Sequence, residues 1–110
     1  MAKTIILTGP QGSGKTLLSE TIQCLNSGKK ILKTDFNKIG CTTNVFLLRR
    51  DLVIVEEVPS KELPKLLDRI EEMTPNLKKP HFIIICQSIP ELKKSYTYTE
   101  IKCSYNQKII

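Results

Sequence analysis

Residues 4–16 read TIILTGPQGSGKT, and this stretch decides the fold. Thr4–Thr8 is a short apolar run closed by Gly9 and Pro10, the pattern of a fully buried strand. Gly9, Gly14, Lys15 and Thr16 fulfil G-x-x-x-x-G-K-[ST] in full. From Lys15 to about Leu25, Leu18, Ile22 and Leu25 recur at helical spacing, so the loop stands between a strand and a helix, as that pattern requires. Chemistry demands these residue types. Gly12 and Gly14 lack Cβ atoms, so the backbone can curl and bring its N–H groups against phosphate oxygens. The curl delivers those oxygens to a helix N-terminus, where unpaired N–H groups and the dipole favour negative charge. The Lys15 ammonium can then reach the β- and γ-phosphates, and the Thr16 hydroxyl can ligate the Mg²⁺ between them. The expected nucleotide-binding residues are Gly9, Pro10, Gln11, Gly12, Ser13, Gly14, Lys15 and Thr16. The plainer reading is a chance glycine-rich turn; the full motif in its strand and helix context argues against it.

Outward from this loop, Asn26, Ser27 and Gly28 stop the first helix. Lys30–Asp35 (KILKTD) reads as a second strand. Phe36–Asn44 reads as irregular and polar, and VFLLRR after it as a short helix. Asp51–Val58 (DLVIVEEV) is a strand by its β-branched content. Leu63, Leu66, Leu67, Ile70 and Met73 trace one face of an amphipathic helix, with Pro64 tolerated in its first turn. Pro75–Pro80 is a turn, and His81–Cys86 (HFIIIC) another buried strand. Ile89–Ser95 reads as a short helix and Thr97–Ser104 as a last strand. Strands alternating with helices imply a mainly parallel sheet with helices on both faces, an α/β architecture. A chain of 110 residues fits one domain, residues 1–110.

Two further stretches carry chemistry. LVIVEE (Leu52–Glu57) is an apolar run ending in adjacent carboxylates, about 40 residues after Lys15. Open parallel sheets bind ligands at the carboxyl ends of their strands, so Glu56 and Glu57 should face the phosphates. Neighbouring strand residues point to opposite sides. By order, Glu56 is the metal residue, alongside Thr16, and Glu57 the general base that orients a water. A strand ending in a solvated turn is the alternative. IIICQS (Ile83–Ser88) ends a buried strand in polar residues, and Gln87 could sense the γ-phosphate or align the attacking water.

Together these stretches resemble the P-loop NTPases that carry an extra strand between the Walker A and Walker B strands, a group that includes AAA+ ATPases, RecA-like ATPases and superfamily-three helicases. The resemblance implies a three-layer P-loop fold with sheet order 5-1-4-3-2. It implies Gly9–Thr16 on the phosphates, Glu56 near the metal, Glu57 as base and Gln87 as sensor. The Glu-Glu pair in place of the commoner Asp-Glu looks most like the superfamily-three helicases, and Glu56 is one methylene longer than the usual Asp. A helical lid and a DNA-gripping hairpin are missing from the pattern. Of the three arginines, Arg49 and Arg50 precede the Walker B strand and Arg69 lies on the amphipathic helix, so none is an evident finger in cis. A neighbouring subunit of a homo-oligomer could supply one, with Lys93 and Lys94 as weaker candidates. The guanine-reading N-K-x-D stretch is absent, since Asn37-Lys38 continues into Ile39-Gly40, which favours ATP.

The chain carries 17 Lys+Arg against 11 Asp+Glu, a net charge of +6, with 40% hydrophobic and 25% charged residues. This composition excludes a disordered tail or a fibre. Residues 74–110 hold six Lys against two Glu, a mildly basic region for which nucleic acid is a candidate partner and a solvated surface the plainer reading. No run approaches a membrane span and no signal-peptide pattern opens the chain, so no membrane partner and a cytoplasmic location are expected. Four scattered cysteines signal neither a disulfide framework nor zinc and read as small buried hydrophobes. His81 reads as structural, and Tyr96 and Tyr98 as half-buried strand patterning. The functional expectation is ATP binding with slow Mg²⁺-dependent hydrolysis, by in-line attack of water on the γ-phosphorus. The alternatives are a module that binds ATP without hydrolysis and a small phosphotransferase.

Overall fold

Every strand pairing is parallel, so all five strands start at one edge of the sheet and end at the other. The structure is a computed structural model and describes residues 2–10 and 14–103. Its elements are β1 (Thr4–Thr8), α1 (Lys15–Leu25), β2 (Ile31–Asp35), α2 (Phe36–Ile39), α3 (Asn44–Leu48), β3 (Leu52–Val58), α4 (Leu63–Met73), β4 (His81–Cys86) and β5 (Thr99–Lys102). A single 3₁₀ turn, Ser60–Glu62, leads into α4. The sheet order is β2-β3-β4-β1-β5, which read from the other edge is 5-1-4-3-2. Register pairs Ile6 with Ile84, Ile54 with Ile83 and Leu32 with Val53.

The near-continuous apolar character of β1, β3 and β4 reflects burial on both faces. On one face, Ile6, Val53, Val55, Phe82 and Ile84 meet Ile39 of α2, Leu47 of α3 and the Leu63, Leu66, Leu67, Ile70 and Met73 ridge of α4. On the other, Leu7, Ile54, Ile83 and Ile85 meet Leu18 and Ile22 of α1. The result is three layers, helices on both faces of one sheet, an α/β fold. No helix among the described residues is long and apolar enough to cross a membrane.

Some sequence expectations fail, each for a physical reason. Phe36–Asn44 is not wholly irregular: Asp35 caps α2 by accepting from the Lys38 N–H at 2.8 Å, and Thr43 caps α3 by accepting from the Phe46 N–H at 3.2 Å. These caps satisfy helix-start donors that a periodicity reading overlooks. Ile89–Ser95 is not a helix. Ile89 precedes Pro90, which disfavours the helical region, and Ile89, Leu92 and Tyr96 pack instead against the α4-side core. The last strand is shorter than expected, and Tyr96 and Tyr98 precede it; Ser104 lies outside the described residues. Of the four cysteines only Cys86 is buried, whereas Cys24 and Cys41 are exposed.

Candidate functional site

The carboxyl ends of β3 and β4, Lys33 of β2 and the start of α1 line a cavity of about 910 Å³. Its lining includes Gly14, Lys15, Thr16, Glu56, Glu57 and Gln87. Residues that sequence reading assigned to three separate stretches are therefore brought to one place. Parallel pairing does this: each stretch follows or ends an apolar strand, and the strands end together.

Gly14 is the N-cap of α1 in the left-handed region, with φ 91°, a conformation costly for any residue bearing a Cβ. Gly9 also has positive φ, 140°, and its N–H donates to the Gln87 carbonyl at 3.1 Å. That bond ties the start of the loop to the end of β4. Lys15 turns back over its own loop, donating to the carbonyls of Gly9 and, at 2.9 Å, Pro10. Thr16 is exposed on the first turn of α1 and lines the cavity. Gln11, Gly12 and Ser13 lie outside the described residues.

Glu56 and Glu57 do not alternate as the sequence reading expected. The ladder between β3 and β4 runs Val55 to Ile84 and then Val58 to Cys86, so β3 carries one extra residue in a bulge. Glu57 takes that place at φ 56°. The period of two is interrupted there, and both carboxylates line the same cavity. Glu56 is partly buried and Glu57 exposed. Gln87 is exposed just beyond β4, and close by the Ser60 and Ser88 hydroxyls share a hydrogen bond of 3.1 Å.

Lys33 was not foreseen. It lines the cavity, with its ammonium 3.7 Å from Glu56 and 3.7 Å from Glu20. The sequence offers only a lysine in a short strand, and its neighbour Glu56 emerges once β2 is paired in register with β3. Cys86 was not foreseen here either. Burial pushes its thiol above the ordinary value, against a smaller opposing pull from a Ser88 backbone hydrogen bond and the Lys15 charge.

The arginines are placed elsewhere. Arg69 donates to the Ile39 carbonyl at 2.7 Å, the Thr42 carbonyl at 2.6 Å and the Asn44 side chain at 2.9 Å, fastening α4 to the 39–44 connection. Arg50 covers the Phe46 ring at 4.5 Å, at the start of β3 and so at the opposite end of the sheet. Lys94 is paired with Asp68 and Glu71. His81 accepts the Lys3 backbone N–H on Nδ1 at 2.9 Å, a structural contact.

Among the described residues no group of three or more His, Cys, Asp or Glu side chains is arranged to hold a metal ion. Mg²⁺ in phosphate sites keeps several waters and takes one or two protein oxygens. Thr16 and Glu56 are the oxygen donors on hand.

No protein-family model matches the chain, and no curated protein matches it.

Proposed function

We propose that this chain is a P-loop nucleotide-binding protein that takes ATP with Mg²⁺ at the carboxyl edge of its sheet and hydrolyses it slowly. One observation carries the reading: the helix start bearing Lys15 and Thr16 lines the same cavity as Glu56, Glu57 and Gln87. The sheet order adds support.

In this reading the loop N–H groups and the start of α1 bind the phosphates, and Lys15 exchanges its contacts with Gly9 and Pro10 for the β- and γ-phosphates. Thr16 and Glu56 would hold the Mg²⁺, which would supply charge neutralisation to the phosphates. Glu57 orients the attacking water and takes its proton as the new P–O bond forms and the bond to the β–γ bridging oxygen breaks. Gln87 aligns that water from the β4 side. The placement of all three arginines away from the cavity supports slow turnover, because charge on the transferred group then lacks a guanidinium partner in cis.

The test is titration calorimetry with ATP–Mg²⁺ together with a phosphate-release assay. Lys15→Ala should abolish detectable binding. Glu57→Gln should keep binding and lower turnover by about a hundredfold, the scale of a lost general base. Equal turnover would remove Glu57 from the reaction. Binding without release in the parent chain would leave a module that uses ATP as a structural ligand.

A further inference from the structure

The sheet edge opposite the nucleotide cavity is strongly basic. The segments that lead into the strands all meet there, because every strand is parallel. Lys3 enters β1, Lys29 and Lys30 enter β2, Arg49 and Arg50 enter β3, and Lys78 and Lys79 enter β4. Seven of the 17 basic residues therefore share one edge, and Asp51 is the single acid in those lead-in segments. Asp51 is already engaged, accepting from the Lys30 backbone N–H at 2.9 Å and pairing with Lys79 at 3.2 Å. The nearby acids of α4 belong to its outer surface, where Lys94 pairs with Asp68 and Glu71.

This edge is concave. A cleft of about 450 Å³ opens on it, lined by Lys3, Lys29, Lys78, Lys79 and Asp51 and by the partly buried Ile5 and Ile22. On the other face of the sheet, where α3 packs, Phe46 is 41% exposed beneath the Arg50 guanidinium.

We infer that this edge is a binding surface for single-stranded nucleic acid. The ammonium groups suit a phosphate backbone, and the apolar part of the lining suits base faces. Neighbouring strands lie about 4.8 Å apart, so the row from β2 to β1 spans roughly 15 Å. The four lysines that line the cleft put the count at about four phosphate contacts. A flat anionic membrane would meet the rim of a cleft poorly, which is why nucleic acid is favoured. The distribution of charge along the sequence points to residues 74–110, but folding places the density elsewhere: only Lys78 and Lys79 of that region contribute.

The inference does not rest on the nucleotide reading. The two sites lie at opposite ends of the strands, so either can fail alone. The experiment is fluorescence anisotropy of the full chain with a labelled 20-nucleotide oligo-dT, against salt. A slope of log K on log salt near −3 is expected for about four contacts. The triple variant Lys29→Ala, Lys30→Ala, Lys78→Ala should weaken binding at least about tenfold at 100 mM salt and reduce the slope by about 2. A control with the same loss of charge, Lys38→Ala, Lys65→Ala, Lys93→Ala, should stay within about threefold of the parent. These lysines are exposed, so circular dichroism should show all three proteins folded. Equal weakening in the two triple variants, or no oligonucleotide binding by the parent, overturns the inference. Binding to phosphatidylserine vesicles without binding to oligo-dT overturns it in favour of a membrane surface.

Discussion

The Lys33 ammonium lies 3.7 Å from the Glu56 carboxylate, inside the cavity that also holds the start of α1. A cation at that point competes with a metal for the same carboxylate. The pair is partly exposed, so its strength is of the order of 0.2–1 kcal/mol. Replacing Lys33 by Met should free Glu56 and lower the Mg²⁺ concentration for half-maximal ATP hydrolysis by about two- to fivefold. A Mg²⁺ titration at fixed ATP checks this. A rise in the Mg²⁺ requirement would mean that Lys33 serves the phosphates instead.

Arg69 is a structural fastener. Its guanidinium satisfies two carbonyls and a side-chain amide of the 39–44 connection, and removing a charged donor strands those acceptors. Arg69→Ala should cost about 2–4 kcal/mol, a fall in melting temperature on the order of 10 °C or more for a domain of this size. Lys cannot reproduce a fork that reaches three acceptors, so Arg69→Lys should recover little. Calorimetric melting checks both variants, and ATP affinity measured below the transition should match the parent.

Much of the candidate site was legible because its signals are local. The loop from Gly9 to Thr16, the Glu56-Glu57 pair and Gln87 each follow or end an apolar run, and parallel pairing gathers those ends. What was illegible depends on partners distant in sequence. Lys33 acquires its meaning from the pairing of β2 with β3. Arg69 acquires its meaning from carbonyls 27 and 30 residues away. The basic edge is assembled from four lead-in segments, none of which is conspicuous alone. The missed helix α2 rests on one side-chain cap, and the expected helix after β4 gave way to Pro90 and to packing of Ile89 and Leu92.

Asp68 ties stability to pH at both extremes. The Tyr96 hydroxyl donates to it at 2.7 Å, and that bond, with the nearby Lys94, holds its carboxyl below the ordinary range. The Lys30 backbone N–H and then Lys79 do the same for Asp51. A carboxyl with a lowered folded-state pKa contributes stability that is present above about pH 4 and is lost as pH falls through the lowered value. Tyr96 is raised, first by its hydrogen bond to Asp68, so its contribution is present below about pH 10 and is lost as pH rises through the raised value. The melting temperature should therefore fall at both ends. Asp68→Asn should flatten each arm in part, since Asp51 remains at the acid end and the raised Cys86 thiol at the alkaline end. Melting curves across pH check this.

Glu57, the proposed base, sits in a strained backbone conformation. At φ 56° in the bulge of β3, it occupies a region that costs a residue with a Cβ roughly 1–2 kcal/mol. Glycine meets no such cost, although its unfolded chain is freer by about 0.5–1 kcal/mol. Glu57→Gly should therefore melt at or slightly above the parent temperature, while Glu57→Val, β-branched in the same conformation, should lose about 1–2 kcal/mol of stability and melt lower. If the bulge exists to aim this carboxylate at the phosphates, neither variant should turn over ATP, and the glycine variant should combine full stability with lost hydrolysis. Thermal melting and phosphate release on the same preparations separate the two effects. A glycine variant that melted well below the parent would show that the carboxylate itself supports the fold, and strain at the bulge would then explain nothing about its chemistry.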